Sequence, residues 1–248
     1  MLRQGACLLA LLVGITVASV GFAGSALAKD RLFYIGLALY PEPWSQNDVT
    51  ELADRLHAVG TFDVVPLIAS NLATRPRRYP IASDTTIANF VSRVAEDAHD
   101  DDVVMVAIST HGSPRVLARA LAGQEPTGLS SRGLARRLAP LAPYRTVIVI
   151  AACYSGSLIQ DLKTPRRIII TAARGDRASF GCNAESRHSY FGAAAASAFA
   201  QPGRSLRDVV AAIRGDVAQR EGERQYTPSE PQAWIGDEVA TLYDAPLF

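Results

Sequence analysis

Five short apolar runs punctuate the chain: residues 31–40 (RLFYIGLALY), 62–68 (FDVVPLI), 102–109, 146–152 and 167–172 (RIIITA). Each is rich in β-branched residues and nearly continuous in its apolarity, the pattern of a strand buried on both faces. Pro66 places the second run at an edge or an end of a sheet. Between these runs the spacing turns helical. Val49, Leu52, Leu56 and Val59 recur before Gly60, with Ser45 or Asn47 available to start the helix. Ile87, Phe90, Val91 and Val94 share one face after a possible cap at Asp84. A helix starting at Ser130 or Ser131 runs to Leu138, a short one spans 157–162, and two more cover 190–200 and 206–219. Residues 70–83 hold arginines and prolines without periodicity and read as a loop. Residues 115–121 fit a strand or a helix, and 233–235 a last strand. The alternation predicts an α/β fold: a doubly wound, mostly parallel sheet with helices on both faces.

The N-terminus departs from this pattern. Arg3 precedes an apolar stretch over residues 6–20, followed by small residues ending in Ala26-Leu27-Ala28. A basic start, an apolar core and an A-x-A ending predict a signal peptide over residues 1–28, with residues 29–248 as one exported domain in the periplasm or outside the cell. An uncleaved anchor is the competing reading; the glycines in the apolar stretch and the A-x-A ending favour cleavage. The leader takes one of the 25 basic residues with it, leaving 24 against 24 acidic ones. That balance argues against nucleic acid or an anionic membrane surface as partner. No later stretch is apolar for long enough to span a bilayer, so no stable membrane insertion is expected once the leader is gone. Cys7 leaves with the leader. Cys153 and Cys182 remain, either paired, both free, or with separate roles.

Two of the strands end alike. VVMVAISTHGSP (103–114) breaks at His111-Gly112, and TVIVIAACYSGS (146–157) breaks at Cys153. In an open parallel sheet, ligands bind at the carboxyl ends of the strands. Adjacent strands lie about 4.8 Å apart, so an imidazole and a thiol presented this way can face one another. Cysteine attacks as thiolate, and a nearby imidazole raises the reactive fraction and later protonates the leaving amine. The N–H groups of Gly112 and Cys153 could form an oxyanion hole. A helix opening at Ser155-Gly156-Ser157 would favour the thiolate with its positive end.

Ser109–Ser113 (STHGS) and Ala151–Ser157 (AACYSGS) resemble the His-Gly and Ala-Cys-x-Ser-Gly blocks of the legumain family of cysteine peptidases. RIIITAARGDRASFGC after the fifth strand and SYFG at 189–192 extend the likeness over about residues 31–200, closest to the small exported bacterial branch. The resemblance implies the caspase-like fold shared with metacaspases and gingipains. It also implies a catalytic dyad of His111 and Cys153, with Gly112 supplying an oxyanion N–H. Two positions depart from legumain. Ala151 stands where legumain and metacaspases carry an acidic residue, and Trp44-Ser45 lies in the region of legumain's Arg-His pair. The asparagine pocket therefore does not carry over.

These features predict a cysteine endopeptidase acting through a thioester acyl-enzyme on a protein or peptide substrate, with no cofactor and no metal. A transamidase using the same dyad and an idle caspase-like scaffold are the alternatives. Arg174, Asp176 and Arg177 after the fifth strand either line the substrate pocket or form a salt-bridged turn. Cys182 forms a disulfide, modulates Cys153 or is simply buried, the last being the favoured reading. His57 and His99 read as surface residues, His188 lacks zinc-site spacing, and Ser155 lies outside a G-x-S-x-G elbow.

Overall fold

The computed structural model describes residues 30–74 and 77–246; the predicted leader at 1–28 lies outside them. The chain builds a six-stranded sheet from β1 (Arg31–Ala38), β2 (Asp63–Ser70), β3 (Val103–Ser109), β7 (Arg145–Ala151), β8 (Arg167–Thr171) and β9 (Gln232–Ile235). Their order is β2-β1-β3-β7-β8-β9. The first five run parallel and β9 closes the edge antiparallel to β8. Pro66 lies on β2, an edge strand, where a residue without an N–H is tolerated.

Side chains of the central strands alternate between two cores, because successive residues point to opposite faces of a sheet. Val103, Met105, Val147 and Val149 join Leu52 and Leu56 of α1 (Pro43–Val59), Phe191 of α5 (Tyr190–Phe199) and Val209 of α6 (Leu206–Glu223). Val104, Val106, Ile148 and Ile150 join Ile87 and Val91 of α2 (Asp84–Asp97) and Leu134 of α3 (Ser131–Arg137). Helices thus cover both faces, as the continuous apolar runs require. Among the described residues no helix is long and apolar enough to cross a membrane.

The ambiguous stretch at 115–121 is a strand. β5 (Val116–Arg119) lies between β4 (Gly112–Ser113) and β6 (Thr127–Ser130) in a small antiparallel sheet at the end of β3. Two helix starts also differ from expectation. α1 begins at Pro43, because Ser45 and Asn47 spend their side chains elsewhere: Ser45 Oγ donates to the Ser109 carbonyl at 2.6 Å and Asn47 Nδ2 to the Arg187 carbonyl at 2.9 Å. Proline suits a first turn whose N–H groups lack helical partners. α2 is capped by Ser83, which accepts from Thr86 N at 3.1 Å, while Asp84 pairs with Arg119 and Arg137. The helix expected over 157–162 is a 3-10 turn (Ser155–Leu158) followed by the single α-turn α4 (Ile159–Leu162).

One polar cluster joins the two halves of this frame. Asp48, buried on α1, accepts from Ser109 Oγ (2.8 Å) at the end of β3 and from Ser189 Oγ (2.7 Å) and Ser189 N (3.1 Å) at the N-terminus of α5. Gly192 on α5 lies against the carboxylate so closely that a Cβ there would overlap it. Gly192→Ala should therefore cost about 1–3 kcal/mol, read as a lower urea midpoint. The penalty should shrink in an Asp48→Ala background; equal penalties in both would place its cause elsewhere.

Candidate active site

β3 and β7 are neighbours, with Ser109 in register with Ala151. The pairing continues one step further, as Thr110 N donates to the Ala151 carbonyl at 3.1 Å. His111 and Cys153 each stand two residues beyond that register pair, so both side chains leave the same end of adjacent strands. Gly112 explains how closely the two turns approach. A Cβ at this position would overlap the Cys153 carbonyl oxygen and reach within 3.2 Å of Ala152 Cβ, so the His-Gly backbone runs directly against the Cys153 peptide.

The turn after Cys153 is held from the β8 side. Tyr154 adopts a left-handed φ of 56° and its N–H donates to the Arg177 carbonyl at 2.7 Å. Gly156 N donates to Ala173 O at 2.9 Å, and a Cβ on Gly156 would lie 2.7 Å from that oxygen. Ser155 is buried, and its hydroxyl accepts from Ala173 N at 3.2 Å; it is a brace.

The loop following β8 wraps the thiol. Ser179 N donates to Cys153 Sγ at 3.3 Å, Ser179 Oγ approaches it at 3.7 Å, and the Ser179 carbonyl accepts from the sulfur at 3.4 Å. Both Cys153 and Cys182 are free and half-buried. The Cys153 pKa is lowered to about 5, with Cys182 the largest influence; the Ser179 N–H and hydroxyl and the charge of His111 add to it, against burial. Cys182 moves the other way, its thiol held protonated by Cys153 and by burial. Cys182 stands three residues beyond Ser179 on the same loop and is half-buried. The donors on the sulfur come from this loop, while the 3-10 turn and single α-turn behind Cys153 are too short to build a helix dipole.

His111 sits in an aromatic corner, edge-on to Tyr40 (ring centroids 4.4 Å apart) and Trp44 (5.1 Å). Its Nε2 lies 3.9 Å from Glu42 Oε2, and the same carboxylate oxygen accepts from Trp44 Nε1. Asp48 lies behind this wall and accepts from His188 Nδ1 at 3.2 Å, in addition to Ser109 and Ser189. Burial raises the Asp48 carboxyl pKa, and the bonds from His188, Ser189 and Ser109 draw it back down.

Arg174, Asp176 and Arg177 fall together after β8, in a network of ion pairs. Arg174 holds Asp176 (2.6 Å) and Glu230 (2.6 Å), and Arg177 lies 3.9 Å from Glu230. His57 is exposed. His99 is largely exposed too, yet its ring meets Arg31 Nη2 at 2.7 Å, beside the Arg31–Asp102 ion pair.

Glu42, Asp48 and Ser179 escaped the sequence reading. Asp48 had a signal: it falls on the inward stripe of α1 with Val49, Leu52 and Leu56, where a carboxylate needs partners. Glu42 stands between two prolines after a buried strand, a weaker cue. Nothing local marks Ser179.

The Peptidase C13 family matches residues 81–241, a span containing both strand ends. No curated protein matches the chain. Among solved structures the fold is similar to caspase-1 of Spodoptera frugiperda, with a TM-score of 0.57 and 17% identity over 85% of this chain and 89% of that one. With His111-Gly112 and Cys153 on neighbouring strand ends inside the matched span, the chain belongs to the Peptidase C13 family, the legumain-like cysteine peptidases of caspase-like fold.

Proposed function

We propose that this protein is an exported cysteine endopeptidase with Cys153 as nucleophile and His111 as its acid–base partner. One observation carries the assignment: a strand-end thiol that accepts from Ser179 N–H and a strand-end imidazole each stand two residues beyond the Ser109–Ala151 register pair of adjacent strands. The Cys153 thiolate attacks the scissile carbonyl carbon, and the N–H groups of Gly112 and Cys153 donate to the oxyanion. His111 protonates the departing amine as the C–N bond breaks, leaving a thioester. It then takes a proton from water, whose hydroxide attacks the thioester and releases the acid and the thiolate. Because Cys182 and Ser179 already hold the sulfur as thiolate, His111 serves chiefly the leaving amine and the incoming water. Glu42 positions the imidazole through its nearer ring nitrogen, with Tyr40 and Trp44 confining the ring.

Arg174, Asp176 and Arg177 frame the substrate cleft by fixing the loop that carries Ser179. The guanidinium groups of Arg174 and Arg177 are already matched by Asp176 and Glu230, so they offer little free charge to an acidic side chain before the cut. Export rests on the leader pattern, and fractionation tests it: the protein should be recovered outside the cytoplasm, shortened by its leader. A full-length cytoplasmic protein would end that part of the proposal.

Peptide-based electrophiles should label Cys153, and His111→Ala should lower the labelling or turnover rate by about 10²–10⁴-fold. Labelling of Cys153 no faster than Cys182 by every probe would favour an idle scaffold. The rate of reaction with iodoacetamide should follow a thiolate titrating near pH 5, where the lowered thiol pKa lies, and so stay flat from pH 6 to 8. A free cysteine, with pKa about 8.5, would still be rising there. Cys182→Ala removes the largest influence on that pKa and should move the midpoint to higher pH; an unmoved midpoint would contradict the assignment.

A further inference from the structure

The hairpin that follows His111 is fastened to the turn that follows Cys153, and the fastening uses an unfavourable backbone. Pro114 and Arg115 form the two-residue loop between β4 and β5, with Ser113 paired to Val116 and Gly112 to Leu117. Arg115 has a φ of 64°, a left-handed conformation in which a turn after proline ordinarily takes glycine. Strain of this kind persists only where the surroundings over-determine it, and it gathers at functional sites. Here three bonds hold the residue. Arg115 N donates to Ser157 Oγ at 2.7 Å, its carbonyl accepts from Ser131 N at 2.8 Å, and its Nη2 donates to Asp161 Oδ2 at 2.6 Å.

These bonds reach the nucleophile's own turn. Ser157 Oγ, which accepts from Arg115, donates to the Tyr154 carbonyl at 2.6 Å, and Tyr154 directly follows Cys153. Asp161 lies on α4 behind that turn, where Ser131 Oγ also donates to it and Arg132 lies 3.7 Å away. The Ser131 hydroxyl, with the charges of Arg115 and Arg132, holds the Asp161 carboxyl below the usual carboxylate range, so the tie is ionic at neutral pH. On the other arm of the hairpin, Ala118 N donates to the His111 carbonyl at 2.9 Å. Antiparallel pairs alternate between bonded and non-bonded, so Gly112, one step from His111, has its N–H turned away from β5. The same glycine runs against the Cys153 carbonyl, where a Cβ would overlap it.

We propose that Arg115 is a positioning residue for the oxyanion hole. Through Ser157 and Asp161 it clamps the His111–Gly112 turn onto the Cys153 turn, and so holds the N–H groups of Gly112 and Cys153 at the spacing the tetrahedral intermediate requires. Arg115 itself touches no reacting atom. The two donors belong to different strand ends, and the strand register stops at Ser109–Ala151, so a cross-tie beyond the sheet keeps them aligned. Misplacement by about 1 Å can cost a reaction about 10²-fold. A side chain bonded 46 residues away supplies the tie, at a position where glycine would relax the backbone. The inference rests on the peptidase reading and deepens it.

The test compares Arg115→Gly, Arg115→Lys and Ser157→Ala with the parent. Glycine accepts the left-handed φ, so Arg115→Gly removes the side chain without straining the turn. Turnover is read on the best substrate from a library of peptidyl aminocoumarin amides, beside Cys153 alkylation by iodoacetamide. Alkylation at a saturated carbon makes no oxyanion, so it reports the thiol alone. Arg115→Gly and Ser157→Ala should lower kcat by about 10–100-fold with KM and the alkylation rate unchanged, as for a contact felt only in the transition state. Arg115→Lys, which keeps a cationic donor for Asp161, should regain most of kcat. An unchanged kcat, or an equal fall in alkylation, overturns the proposal. Amide hydrogen exchange over residues 111–116, which needs no substrate, should quicken in Arg115→Gly and Ser157→Ala. Unchanged exchange also overturns the clamp. Quickened exchange, in variants of a parent that cleaves no peptide, keeps the clamp and removes the peptidase reading.

Discussion

A single buried carboxylate holds the site's supports together. Asp48 sits on the inward face of α1, where an unpartnered charge in a low-dielectric interior costs at least several kcal/mol. Its oxygens instead accept from Ser109, His188 and Ser189, the last through both hydroxyl and N–H. Ser189 is also the N-cap of α5, so the carboxylate lies by a helix end whose partial charge favours it. The bonds join three elements: α1, the end of β3 two residues before His111, and the segment leading from Cys182 into α5. Gly192 marks how tightly they close.

This arrangement separates support from chemistry. The imidazole is confined by Tyr40 and Glu42 from the turn after β1 and by Trp44 in the first turn of α1. The thiol is tuned by Ser179 and Cys182 from the loop after β8. Both groups stand on rigid, hydrogen-bonded strand ends, and the surrounding loops adjust them. Short-range donors on the sulfur do the work that a long helix behind a nucleophile would otherwise do.

Much of the fold is legible in the chain. Continuous apolar runs identify strands buried on both faces, and Pro66 gives β2 its edge position, because these features act through local sterics and burial. The caps were less legible. Ser45 and Asn47 look like helix starts, but their side chains bond Ser109 and Arg187, far away in sequence. A hydroxyl or amide that can satisfy a nearby backbone N–H can equally satisfy a distant group, and packing decides which.

The sequence by itself determined the strand pattern, the two strand ends carrying His111 and Cys153, and the small residues that let their turns approach. Those properties depend on side-chain size, apolarity and near neighbours. Only the tertiary structure decided what those groups meet: Glu42 beside the imidazole, Ser179 on the sulfur, and Asp48 bonded to Ser189 at a separation of 141 residues. Periodicity reports that a polar side chain is buried, but its partner is chosen by which backbones the sheet brings together.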